Sequence, residues 1–424
     1  MTIHIPHAKI VYPGHPLNGQ NKHVWLHEGK LYFNNEGLPE AQQLQEGLCV
    51  SPGWVDMQAR VYEPGHEIQE TIATLAQAAR HGGFTSVAVL SNSNPVVDGR
   101  EGVHYLKQMG LKYGLNILPI GAVTQQTKGE KMAEMLDMDY AGAAAFSDGK
   151  PVSNPDIVLK TLQYLQHVDG LLIQRAEEPM LAAFGQMNEG MASLMLGLEG
   201  LPELAEEVMV SRDIQLLQYT GGKIHFSLIS SPGSLKHIAE AKAKGLDVTC
   251  SMAAHQLCFT DDDLMGFETN FKVSPPFRSQ ATNAELKKAL LEGLIDVVVS
   301  DHNPMIIDQK NCEFDVADFG VSSLETAFHS LLQTLGPNQE NKLVELLALN
   351  PARLLKLELP QFENGQPIDV TVFTTEGHTV ISRDYFLSKG FNSPFIGKTL
   401  PGKVIGTLSQ GVWVQHADSI PSMS

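Results

Sequence analysis

Residues 51–90 read SPGWVDMQARVYEPGHEIQETIATLAQAARHGGFTSVAVL. An apolar run at 54–57 gives way to polar residues and a Glu-Pro-Gly turn at 63–65. A helix-patterned segment at 66–81 follows, ended by Gly82-Gly83, and a second apolar, β-branched run starts at Phe84. Runs this short fit strands buried on both faces, and a helical stretch between two of them is a crossover. The stretch therefore predicts a βαβ unit and a parallel sheet.

The unit recurs along the chain. Comparable runs at 54–57, 84–90, 117–123, 141–146, 171–173, 223–229, 247–251 and 295–300 alternate with helical patterns such as 155–167, 202–218 and 284–292. Eight strand–helix units in series predict an α/β protein of the (β/α)8 TIM-type barrel class, with function at the carboxyl ends of the strands. A doubly wound open sheet is the competing reading, but no GxGxxG loop follows the first strand. On either side the texture changes to short strands and turns, at 23–27, 30–33 and 47–50, and again at 368–373, 378–381 and 404–408. The expected organisation is the N-terminal part of a small β domain at 1–51, the barrel at 52–355 and the C-terminal part of that β domain at 356–424.

Composition narrows the function classes. Of 424 residues, 43% are hydrophobic and 18% charged, as in a globular protein with a large core. The net charge of -18, with no basic run to offset it, argues against a nucleic-acid surface. Cys49, Cys250, Cys258 and Cys312 form no CxxC pair, so neither a thiolate zinc site nor a disulfide framework is expected. The opening MTIHIPHAKIVYPGH lacks a basic segment followed by a long apolar one, and no run nears eighteen apolar residues. A cytoplasmic protein without membrane contact is expected.

The first strand end, Ser51-Pro-Gly-Trp-Val-Asp56-Met-Gln58-Ala-Arg60-Val-Tyr62-Glu63-Pro64-Gly65, resembles the signature of dihydroorotases in the amidohydrolase superfamily. In that pattern Asp-x-His-x-His-x-Arg precedes Glu-Pro-Gly, and the two histidines chelate one metal from a single strand face. Further blocks resemble the family in order and spacing over about residues 45 to 410. They are GGFTSVAVLSNSNPVVD (82–98), AFSDGKPV (145–152), NEGMASLMLGLEGLPELAEEVMVSRDIQL (188–216), NFKVSPPFRS (270–279) and FDVADFGVSSLETAF (314–328).

Within those blocks the resemblance implies a metal site whose ligands have been replaced. Gln58 and Arg60 stand for the two histidines of the first strand. Arg175, in Arg175-Ala-Glu177-Glu178, stands for the histidine of the fifth. Leu228 stands for the ligating histidine of the sixth, where His225 matches the non-ligating one. Asp301, in Asp301-His302-Asn303-Pro304-Met305, keeps the position of the metal-bound general base, and Asp148 is the single acid left of a bridging pair. Tyr62 stands for the arginine that grips the substrate carboxylate. Asn92, Asn270, Arg278 and His302 are candidate pocket residues; the first three read equally as strand-end hydrogen-bonding structure, whereas His302, like His255, reads first as a satisfied structural histidine.

An amide is a poor zinc ligand and a guanidinium cannot ligate a cation. Bound zinc lowers the pKa of water from about 15.7 to about 7, so its loss forfeits roughly 12 kcal/mol in making hydroxide. No cofactor is therefore expected. Arg60 and Arg175 are expected to pair with Asp148 and Asp301, or else to face solvent at the barrel mouth. The resemblance implies a pseudoenzyme of pyrimidine synthesis. It would form a homo-oligomer within a larger complex that holds the aspartate carbamoyltransferase catalytic chain. The alternatives are an active dihydroorotase with an atypical, zinc-binding site, and a metal-free relative that binds a small molecule.

Overall fold

The computed structural model describes residues 1–416. Eight parallel strands run in sequential order: Trp54–Ala59, Phe84–Val89, Asn116–Gly121, Ala145–Phe146, Leu172–Arg175, Ile224–Ser227, Val248–Ala253 and Val297–Val299. Sequential order is what a barrel requires and a doubly wound sheet lacks. The ring is nearly closed where Ala59 bridges His302 and the Arg60 N–H donates to the His302 carbonyl at 2.9 Å. Beneath that seam the buried Asp56 carboxylate accepts from the Ser300 N–H at 2.8 Å and the Ser300 hydroxyl at 2.6 Å.

The interior is filled by Val55, Met57, Leu90, Ile120, Ile173, Val297 and Val299, with Ala352 and Leu355 packed against them. A barrel of this kind is a solid core rather than a pore. Its outer layer binds the helices and, at one side, the second sheet. There Trp54 stacks on Phe328 (centroids 5.1 Å apart) and meets Phe373 and Phe84 edge-on.

That second sheet mixes the chain ends. Cys49–Pro52 pairs antiparallel with Val370–Val380, so strands from before and after the barrel share one hydrogen-bonded ladder. A nine-residue strand, Thr2–Ile10, sits beside Cys49–Pro52 and was not legible in the sequence. Its register slips between Ile5 and Ala8, with His7 at φ 48°, and this bulge breaks the alternation that marks a strand. Two further readings shift. The helix expected at 66–81 spans Ile72–His81, because Thr71 caps it with its side chain accepting from the Thr74 N–H. The fourth barrel strand is only Ala145–Phe146, since residue 141 ends the helix Met135–Ala141 at the left-handed Gly142.

Candidate functional site

At the carboxyl ends of the strands lies a cavity of about 440 Å³. It gathers Gln58, Arg60, Tyr62, Arg175, Leu228 and Asp301, which come from the first, fifth, sixth and eighth strand ends. Sequence positions up to 243 residues apart thus meet in one place. Two of them stand on left-handed backbone, Leu228 at φ 57° and Asp301 at φ 54°. Non-glycine residues pay on the order of 1–3 kcal/mol for such geometry, and it clusters where side chains must be aimed.

Asp301 is half-buried in the cavity wall, and its carboxylate accepts from Gln58 Nε2 at 3.0 Å. Burial pushes its pKa up to about 6, with Arg60, Arg175 and the Gln58 hydrogen bond pulling the other way. The expected ion pairs are not made. Arg175 Nη2 donates to Glu177 Oε2 at 3.1 Å and to Ser274 Oγ at 3.0 Å, and Nη1 donates to the Leu228 carbonyl at 3.4 Å. Arg60 has no carboxylate partner among the described residues; Nη2 donates to the Gly149 carbonyl at 3.5 Å. Both arginines act on Asp301 through space.

Asp148 is out of their reach because it serves the backbone. It accepts from the Val123 and Thr124 N–H groups, both at 2.9 Å, and from the Thr124 hydroxyl. Burial raises its pKa against those bonds. A buried carboxylate that satisfies two main-chain donors and a hydroxyl is a fold element.

The other candidates fall outside the cavity lining. Arg278 is buried and donates to Asn188 Oδ1, the Leu201 carbonyl and Ser230 Oγ, which ties loops together. Asn270 lies in the turn Thr269–Phe271 and lines a different cavity. Asn92 is close behind Gly149 but does not reach the lining, and its Oδ1 is a buried acceptor without a partner among the described residues. His302 is fully buried, and its Nδ1 accepts from the Ser323 and Leu324 N–H groups at 3.2 and 3.4 Å. Those two donors fix the lone pair on Nδ1, which leaves the proton on Nε2 facing Glu70 at 3.6 Å. His255 is buried against Phe277, and desolvation lowers its pKa to about 4. Neither imidazole addresses the cavity.

The sequence did not announce Gln69, Lys150, Ser274, Asp318 or Phe319 as lining residues. They arrive on loops, and no periodicity marks a loop residue that turns inward. Ser274 and Lys150 lay inside recognisable blocks, but without a signal of their own.

The residues present do not fit a metal centre. Among the described residues no group of three or more His, Cys, Asp or Glu side chains is disposed to hold an ion. The cavity sets Arg60, Arg175 and Lys150 among Glu177, Asp301 and Asp318, and two fixed guanidinium groups at the strand ends oppose a dication there.

A family model described as dihydro-orotase-like matches residues 47–234. A protein named dihydroorotase from Pelotomaculum thermopropionicum is 40% identical, the match covering 92% of this chain and 93% of that one. Another of that name from Geotalea daltonii is 39% identical over 99% of this chain and 100% of its own. Among solved structures, an L-hydantoinase (dihydropyrimidinase) from Arthrobacter aurescens superposes with a TM-score of 0.82 at 21% identity. It covers 98% of this chain and 96% of that one, a likeness of fold alone. With the barrel, the flanking sheet and these identities together, the chain belongs to the dihydroorotase family.

Proposed function

We propose that this chain is a non-catalytic member of its family, a structural subunit that supports an aspartate carbamoyltransferase assembly in pyrimidine synthesis. The observation that carries the reading is the occupancy of the strand ends by Gln58, Arg60, Arg175 and Leu228. None of these side chains generates hydroxide, and Asp301 alone is too weak a base to do so. No histidine addresses the cavity to take over.

The surface supports an assembly role. Met180, Phe184, Met191, Leu194 and Met195 are between 66% and 84% exposed, and all lie in the excursion that follows the fifth strand. At ~150–200 Å² each these side chains offer roughly 500–800 Å², near the ~800 Å² one partner contributes to a standard interface. Exposed apolar area on this scale marks a contact site where it is contiguous. Partners are expected to be the carbamoyltransferase catalytic chain and further copies of this chain. Among the described residues no helix is long and apolar enough to cross a membrane.

Mass photometry of this chain mixed with the carbamoyltransferase catalytic chain tests the partner. The expected result is a defined complex larger than either component. A chain that remains free at micromolar concentration overturns the assembly role.

A second reading, an active dihydroorotase with an atypical metal site, is favoured by the names of relatives at 36–40% identity over most of their length. It would need ligation from Asp148, Asp301, Glu177 and His302. Two of these, Asp148 and His302, are committed to backbone donors. Metal analysis of the purified chain alongside a dihydroorotate hydrolysis assay decides between the two. Stoichiometric metal with turnover establishes the second reading.

A further inference from the structure

Two guanidinium groups line the 440 Å³ cavity, and among the described residues only one of them has a carboxylate partner. Arg175 is held by Glu177, Ser274 and the Leu228 carbonyl. Arg60 makes its one main-chain contact at 3.5 Å, to Gly149, and lies beside the Tyr62 hydroxyl. A guanidinium carries five N–H donors in a rigid fork, so most of the capacity of Arg60 is unspent within a concave wall.

The carboxylates that share the cavity have not moved to quench it. Asp301 is engaged by the Gln58 amide, and Asp318 by Gln309 Nε2 at 2.8 Å. Lys150 adds a further positive charge to the lining. A cavity of this volume suits a metabolite-sized ligand. An unspent guanidinium fork is what proteins use to take a carboxylate or phosphate through two parallel hydrogen bonds.

We propose that this cavity binds a small anion through a carboxylate or phosphate group, with Arg60 making the bidentate contact and Arg175 and Lys150 adding charge. The proposal rests on the reading above that no metal centre occupies this position. The pocket is then a ligand site in its own right.

Calorimetric titration of the purified full-length chain at low salt and neutral pH tests this, with malonate and inorganic phosphate as separate probes. At least one probe is expected to bind at one site per chain. Arg60→Gln is expected to weaken that binding by about tenfold or more, and Arg60→Lys by less. Arg100→Gln, at a helix surface where the native side chain faces Asp137, should leave it unchanged. No binding of either probe, or an Arg60→Gln chain that binds as the wild type does, overturns the proposal. Metal content of the same sample separates the two failures. A zinc-loaded, hydrolytically active chain overturns the non-catalytic reading, whereas a metal-free chain that takes neither probe overturns only the anion site.

Discussion

Gln58 donates its side-chain amide to Asp301 across 3.0 Å, joining the first barrel strand to the end of the eighth. In family members with the histidine pattern these two positions are implied to meet through a metal. Here they meet directly, and a neutral donor satisfies one oxygen of a half-buried carboxylate. The Asp56–Ser300 pair holds the same seam one layer below.

If the backbone of the old site is intact, returning the side chains should return the affinity. The chain carrying Gln58→His, Arg60→His, Arg175→His and Leu228→His is expected to take up about one zinc ion or more, because Leu228 and Asp301 keep their left-handed aim. Elemental analysis after dialysis reads this. A folded four-histidine chain without zinc would show that the strand ends have moved.

Asp148 is assigned a structural duty, and its removal should report on stability. Asp148→Ala leaves the Val123 and Thr124 N–H groups without their acceptor in the interior. The expected cost is about 3 kcal/mol or more, read as a lower urea midpoint. Wild-type stability in this variant would contradict the assignment.

Glu325 supplies a pH test away from the cavity. Burial, with the nearby Glu70 charge, raises its pKa from 4.5 to about 8, against bonds from the Leu387 and Ser388 N–H groups. A folded-state pKa above the unfolded value means that its stabilising contribution is complete below 4.5 and is lost as pH rises through about 8. Glu325→Gln keeps an acceptor for those N–H groups and cannot ionise. Between pH 5 and 9 the wild type should therefore lose stability relative to the variant, by on the order of a few kcal/mol. Parallel melting curves across that range would refute the shift.

Gly83 should tolerate no side chain. It stands at φ 93°, and a Cβ there would lie 2.5 Å from the Trp54 ring that joins the barrel to the flanking sheet. Gly83→Ala is expected to cost about 2–4 kcal/mol. Gly14→Ala, at φ 83° with open space around it, should cost only the conformational ~1–2 kcal/mol. Equal melting temperatures for the two variants would remove the clash from the account.

The barrel was legible because its signals are local. Buried parallel strands read as short apolar runs and their crossovers as amphipathic helices, so eight repeats specify the class. What was missed is also physical. The bulge at His7 hid the strand Thr2–Ile10, and the Thr71 cap cut ten residues to a helix where the pattern allowed sixteen. The family resemblance also implied Arg278 and Asn270 as pocket candidates, although one braces loops and the other lines a separate cavity.

The sequence by itself determined which atoms stand at the strand ends. An amide, two guanidiniums and a leucine cannot assemble a zinc site, whatever the geometry, because coordination needs lone pairs those groups lack or hold weakly. Only the tertiary structure decided where the charges go. Whether Arg60 meets an acid depends on which backbone donors claim Asp148 and which amide claims Asp301, and such claims are made across 24 to 243 residues of chain. Hydrogen bonds at that separation follow from packing, and no pattern along the chain encodes them.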